Sequence, residues 1–61
     1  MDRNMQTIYS KALRKCITSY SEDTTVQVLE LLENPDTLIR IEKILQTNPT
    51  EQEFSEAVRG L

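Results

Sequence analysis

Leu31-Leu32-Glu33-Asn34-Pro35-Asp36-Thr37-Leu38, followed further on by Thr47-Asn48-Pro49-Thr50-Glu51-Gln52-Glu53-Phe54, decides how this chain folds. An Asn ahead of a helix can accept a hydrogen bond from a free backbone N–H, and a Pro just behind it stands where its missing N–H costs nothing. The two Asn-Pro pairs therefore cut the back half of the chain into short helices. The first is expected over 35–46, with Leu38, Ile41, Ile44 and Leu45 on one face and Ile39 off it. The second is expected over 50–59, where Thr50 and Glu53 have the spacing of a capping box. Behind that box Phe54, Ala57, Val58 and Leu61 recur at i, i+3, i+4 and i+7. Gly60, the one glycine, stands where a helix C-cap favours a left-handed residue, and Leu61 is placed to fold back on the last turn.

Working back towards the N-terminus, Val26, Val28, Leu29, Leu31 and Leu32 occupy a segment that a strand would compete for, but strict alternation fails at Leu31-Leu32. A helix over 22–33 is the better reading, and its apolar residues cover more than one stripe. The polar run Thr18-Ser19-Tyr20-Ser21-Glu22-Asp23-Thr24-Thr25 separates it from what precedes, because Ser and Thr compete with helix by bonding to nearby backbone. Ser19 with Glu22 fits a capping box, and Ser21 followed by acids is an equally good cap. Ahead of the break, Met5, Ile8, Tyr9, Ala12, Leu13, Cys16, Ile17 and Tyr20 follow the 3–4 spacing of one helical face and predict a helix over 3–19. Asp2 at its start and Lys11, Arg14 and Lys15 towards its end suit the helix dipole.

The expected fold is thus all-α, a compact bundle of three to four short helices (about 3–19, 22–33, 35–46 and 50–59) in a single small domain spanning 1–61. Helices this short are marginal alone and depend on a shared core. A chain of 61 residues also buries a smaller share of its surface than a typical domain does. With one cysteine and no histidine it has neither an internal disulfide nor the usual zinc ligands to compensate. Association with another chain is the remaining supplement to packing.

Charge is polarised along the sequence. Residues 1–20 carry four bases against one acid, a balance of +3, whereas residues 21–61 carry nine acids against three bases, a balance of −6. Such asymmetry can orient a partner or pair two copies.

Several chemistries find no support. Nucleophilic catalysis lacks its usual base, and Cys16 lies on the apolar stripe of the first helix as a small core residue. Glu51, Glu53 and Glu56 do not stack on one helical face. The acids of 22–36 lack the alternating ligands and turn glycine of a calcium loop, and no glycine-rich loop offers a phosphate cradle. The expectation is a protein that is not an enzyme and that carries no cofactor or metal. The longest uninterrupted apolar stretch is two residues, so no membrane span is expected. The lone thiol and an N-terminus unlike a secretory signal point to the cytoplasm.

The run Leu29-Glu30-Leu31-Leu32-Glu33-Asn34-Pro35-Asp36-Thr37-Leu38, with a second Asn-Pro after it, resembles the helical repeats of stress-inducible co-chaperone domains. The likeness covers under half of the chain and lacks the Met-rich lining of those repeats. It implies short helices, punctuated at Asn-Pro, that cradle apolar segments of a client.

What remains is an apolar surplus. Ile39, Val26 or Leu31, and Met1 with Met5 fall outside or at the edge of the stripes of their helices, and a bundle this small has one interior. Tyr9 and Tyr20 at the edges of the first stripe are amphipathic in the way interfaces favour. The functional expectation is a protein–protein interaction module, such as a small regulator, adaptor or inhibitor docking a helical apolar surface on a larger protein, with a homodimer as a variant. Its partner-binding residues are expected to be Ile8, Tyr9, Lys11, Leu13, Arg14, Lys15, Ile17 and Ile39. The alternative is a nucleic-acid-binding regulator using the basic face of the first helix, against which stands the net charge of −3.

Overall fold

The computed structural model describes residues 3–61, which form four helices and no strand. They are α1 (Arg3–Ser19), α2 (Glu22–Glu33), α3 (Pro35–Leu45) and α4 (Glu51–Arg59). The starts of α2, α3 and α4 each have a local cause. Ser21, not Ser19, caps α2, its side chain accepting the Thr24 N–H; Ser19 is still helical. The Asn34 side chain accepts the Asp36 N–H at 2.9 Å and Pro35 opens α3. Thr50 caps α4 in a complete capping box, with Glu53 Oε1 accepting the Thr50 N–H at 2.9 Å. Asp2, expected at the helix dipole, and Met1, expected off the stripe, lie outside the described residues.

The two Asn-Pro pairs turn out to do different work. Asn48 caps nothing. It is the one non-glycine residue with positive φ (52°) among the described residues, a conformation Asn tolerates better than most. Its N–H closes on Leu45 O at 3.1 Å, so the chain turns there and Pro49 comes before the cap instead of opening the helix. Gly60 stays right-handed at φ −81°, because α4 ends in tight i→i+3 bonds from Gly60 N to Ala57 O and from Leu61 N to Val58 O. The left-handed position belongs to Asn48. α3 stops at Leu45 with Gln46 as its C-cap, and no base stands in the last turn of α1.

Nine apolar residues make the buried core: Ala12 and Cys16 from α1, Val28 and Leu32 from α2, Leu38, Ile41 and Leu45 from α3, and Phe54 and Val58 from α4. Met5, Ile8, Tyr9, Leu13, Tyr20, Leu31, Ile44 and Leu61 pack around them half-buried. Met5 and Leu31 therefore serve the core, correcting their off-stripe placement, while Ala57 of the expected inward face is exposed. At about 1.5 Å per residue α1 is about 25 Å long, most of the 30 Å long dimension of the molecule. It rests against both α2 and α3, and α4 closes the opposite side of that pair. A two-residue link between α1 and α2 reverses the chain. The far ends of the pair meet again at Tyr9 and Glu33, which line one depression. The two helices thus run antiparallel, and counting equal rises from Tyr9 and Glu33 sets Leu13 level with Leu29 and Ile17 with Thr25, next to Val26.

Candidate interaction surface

Helix periodicity and the shared depressions sort the eight expected partner-binding residues onto three parts of α1 and one of α3. Tyr9, Leu13 and Ile17 follow one another at i, i+4 and i+8 along the flank that adjoins α2. Ile8, Lys11 and Lys15 follow the other flank, which adjoins α3: Lys11 and Lys15 line a depression with Glu42, Leu45, Gln46 and Asn48. Lys15 Nζ donates to Asn48 Oδ1 at 3.3 Å, so this cation is tied to the turn that carries the left-handed residue. Arg14 lies on the outer ridge between the flanks, where with Arg3, Gln6, Thr7, Ser10 and Lys11 it lines a polar depression. Ile39 is on α3, one turn before Glu42, and is 40% exposed. The eight residues therefore do not meet in a single patch.

The α1/α2 pair carries three of the four large apolar residues that are exposed among the described residues. Ile17 is 62% exposed, Val26 58% and Leu29 36%. Ile17 was expected in the core stripe. It sits far enough round α1 from Ala12 and Cys16, the two fully buried positions, to face outward. Leu13 and Ile17 line a depression with Ser10 and Arg14, which joins the stripe to the basic ridge. On α2, Leu29 and Val26 lie on the flank turned away from α4. In an antiparallel pair that flank opens on the same side as Leu13 and Ile17. Val26 and Leu29 were absent from the expected site. The signal for them was in the sequence, since α2 has apolar residues on more than one stripe.

Charge is sorted between the two helices of this pair, although Lys11 and Lys15 lie on the flank of α1 towards α3 and only Arg3 and Arg14 keep to its outer ridge. α1 carries Arg3, Lys11, Arg14 and Lys15 and no acid; α2 carries Glu22, Asp23, Glu30 and Glu33 and no base. The apolar stripe of Leu13, Ile17, Val26 and Leu29 runs between a basic helix and an acidic one.

The opposite flank of α2 is closed by polar contacts to α4. Glu51 Oε2 accepts the Ser21 N–H at 2.8 Å and the Thr24 hydroxyl at 2.7 Å. Further along, the Ser55 hydroxyl donates to Gln27 Oε1 at 3.1 Å while Gln27 Nε2 donates to Ser55 O at 3.4 Å. The nearby Ser21 hydroxyl, the Ser21 N–H and the Thr24 hydroxyl hold the Glu51 pKa below the ordinary value of 4.5. The Thr50 N–H and hydroxyl do the same for Glu53. Tyr20 is part of this closure and not of a docking edge. Its ring stacks on Phe54 with centroids 4.8 Å apart and planes 3° from parallel, and its hydroxyl donates to Pro49 O at 2.7 Å. Burial, with the Cys16, Glu51 and Glu53 charges behind it, raises the Tyr20 pKa.

Cys16 is fully buried and burial raises its pKa, which suppresses the thiolate. Among the described residues no three His, Cys, Asp or Glu side chains are grouped to hold a metal ion. Nor does any buried side-chain N or O among them lack a hydrogen-bond partner. Among the described residues no helix is long and apolar enough to cross a membrane.

A small four-helix array with one polarised, apolar-centred seam is what the fold and site define. No family model, curated protein or solved structure matches the chain significantly.

Proposed function

We propose that this chain is a non-enzymatic protein–protein interaction module that works in the cytoplasm as a small regulator, adaptor or inhibitor. Its docking surface is the outer face of the α1/α2 pair. One observation carries the reading: three of the four large apolar residues exposed among the described residues, Ile17, Val26 and Leu29, belong to the α1/α2 pair, on flanks that helix periodicity turns to one side together with half-buried Leu13. Scattered exposed apolar residues are ordinary, whereas apolar residues gathered along one seam mark a partner surface. Arg14 and its neighbours on the ridge supply charge at the rim, where it steers encounter and fixes register more than it adds affinity.

The test is affinity capture with the full chain against Ile17→Ser/Val26→Ser, a double substitution at two exposed positions that keeps the helices. A partner held by the wild type and lost by the double variant, but kept by Ile39→Ser, supports the seam. Equal capture by all three removes it.

A second reading rests on the depression lined by Arg3, Lys11 and Arg14 with Gln6, Thr7 and Ser10. Three cations on one helix can neutralise phosphates, so the chain would act as a nucleic-acid-binding regulator. A low-salt gel-shift titration decides: no shift at tens of micromolar protein ends this alternative.

A further inference from the structure

We propose that the occupant of the α1/α2 face is a second copy of this chain, related by a two-fold axis parallel to the helices, so that the α1 of each copy lies over the α2 of the other. The inference rests on the reading of that face as an interaction surface and names its partner. Two symmetric arrangements join such faces with the helices of both copies aligned, as close packing of helix pairs favours. If the axis runs across the helices, α1 lies on α1 and cations face cations, while α2 lies on α2 and carboxylates face carboxylates. If it runs along them, the all-basic α1 of each copy meets the all-acidic α2 of the other, twice. Like charges set against each other across an interface are unfavourable, so only the second arrangement survives.

The same operation aligns the stripe. An axis along the helices leaves each residue at its own height. Leu13 of one copy then meets Leu29 of the other, and Ile17 meets Val26, because those pairs already stand level, to within one residue, in a single chain. Arg14 then stands about 3 Å along the axis from Glu30, a span that two long side chains bridge, and both are exposed on the outer ridges of their helices. The product is a bundle of two antiparallel helix pairs whose neighbours across the interface are also antiparallel, the commonest arrangement for a four-helix core. Such a pairing would give a 61-residue chain the additional core that neither a disulfide nor a metal provides.

Sedimentation equilibrium of the full chain between about 5 and about 500 µM, a range that brackets micromolar to submillimolar dissociation constants, reads the outcome. The wild type is expected to rise from 7.1 kDa towards twice that mass. Arg14→Glu and Glu30→Arg are each expected to stay near the monomer mass, since each places like charges against each other at both symmetry-related contacts. Mixed one to one, they are expected to dimerise again, because the heterodimer restores an opposite pair at both contacts. Circular dichroism of each variant checks that helix content is unchanged. A wild type that stays monomeric throughout overturns the proposal, as does a dimer that survives both single substitutions or a mixture that stays monomeric. A monomeric wild type that still loses a captured protein on Ile17→Ser/Val26→Ser overturns the second copy alone and leaves the interaction-module reading standing.

Discussion

The two flanks of α2 meet the rest of the molecule in opposite ways. Towards α4 the seam is sealed by directional polar contacts, Glu51 to Ser21 and Thr24, and Gln27 to Ser55, laid over the buried ring of Phe54. On the side shared with α1 the core is equally dry beneath, at Ala12, Cys16 and Val28, but the rim is apolar and open at Ile17, Val26 and Leu29. A rim of hydrogen bonds satisfies its own groups and needs no further neighbour. A rim of exposed aliphatic groups gains free energy from any surface that removes it from water, at about 25 cal/mol per Å². The difference separates a flank closed by its own contacts from one left open, for which a recognition role is our proposal, and each can be tested separately.

The largest effect belongs under the sealed flank. Phe54→Ala removes the most voluminous fully buried side chain and the stacking partner of Tyr20. The expected loss is about 3–5 kcal/mol, enough to leave so small a domain largely unfolded, as read by urea titration followed by circular dichroism. A loss under about 1 kcal/mol would mean that α4 contributes little to the core and that the sealed flank is only cosmetic.

The clasp above that ring is smaller in effect and depends on pH. Glu51 and Glu53 both have lowered pKa values in the folded chain, so folding favours their ionised forms. Their contribution is complete above the ordinary value of 4.5 and is lost as pH falls through the lower folded values. Wild-type stability is therefore expected to decline on acidification from about pH 5 to about pH 3. Glu51→Gln is expected to be modestly less stable at neutral pH and to decline less steeply over the same range. Parallel curves for the two proteins would show that the hydrogen bonds to Glu51 do not distinguish its charged form.

How much of this was legible in the sequence follows from whether local or distant groups decide a position. Asn34 was readable because a cap is satisfied within its own turn, and the same holds for the Thr50–Glu53 box. Asn48 has the same dipeptide, but its conformation is set by the chain reversal after Leu45 and by Lys15 on another helix, neither of which a local pattern reports. Gly60 failed for a related reason: a glycine past a helix allows a left-handed cap without requiring one, and here right-handed turns close the helix. Among the candidate site residues, Ile17 was placed on the right helix but the wrong shelf. A stripe of eight apolar positions is wider than two neighbouring helices cover, and only the packing shows which edge is left over. Val26 and Leu29 belong to the site through antiparallel pairing with α1, a relation between segments that the periodicity of either one does not contain.

The smallest effect sharpens the comparison most. Val26 and Val28 are two residues apart on α2, one 58% exposed and the other fully buried. Val28→Ala opens a cavity in the core and is expected to destabilise at every protein concentration. Val26→Ala removes almost no intramolecular packing, and alanine has the better helix propensity by up to about 0.7 kcal/mol. In the isolated chain it is therefore expected to be neutral or slightly stabilising, within about 0.5 kcal/mol. If the open flank pairs with a second copy, the wild type gains stability with concentration by mass action, and Val26→Ala gains less. Thermal midpoints measured at low and at high micromolar protein separate these cases: a deficit for Val26→Ala that appears only at the higher concentration places the residue at an interface, whereas a deficit that is the same at both places it in the core and removes the distinction between the two flanks.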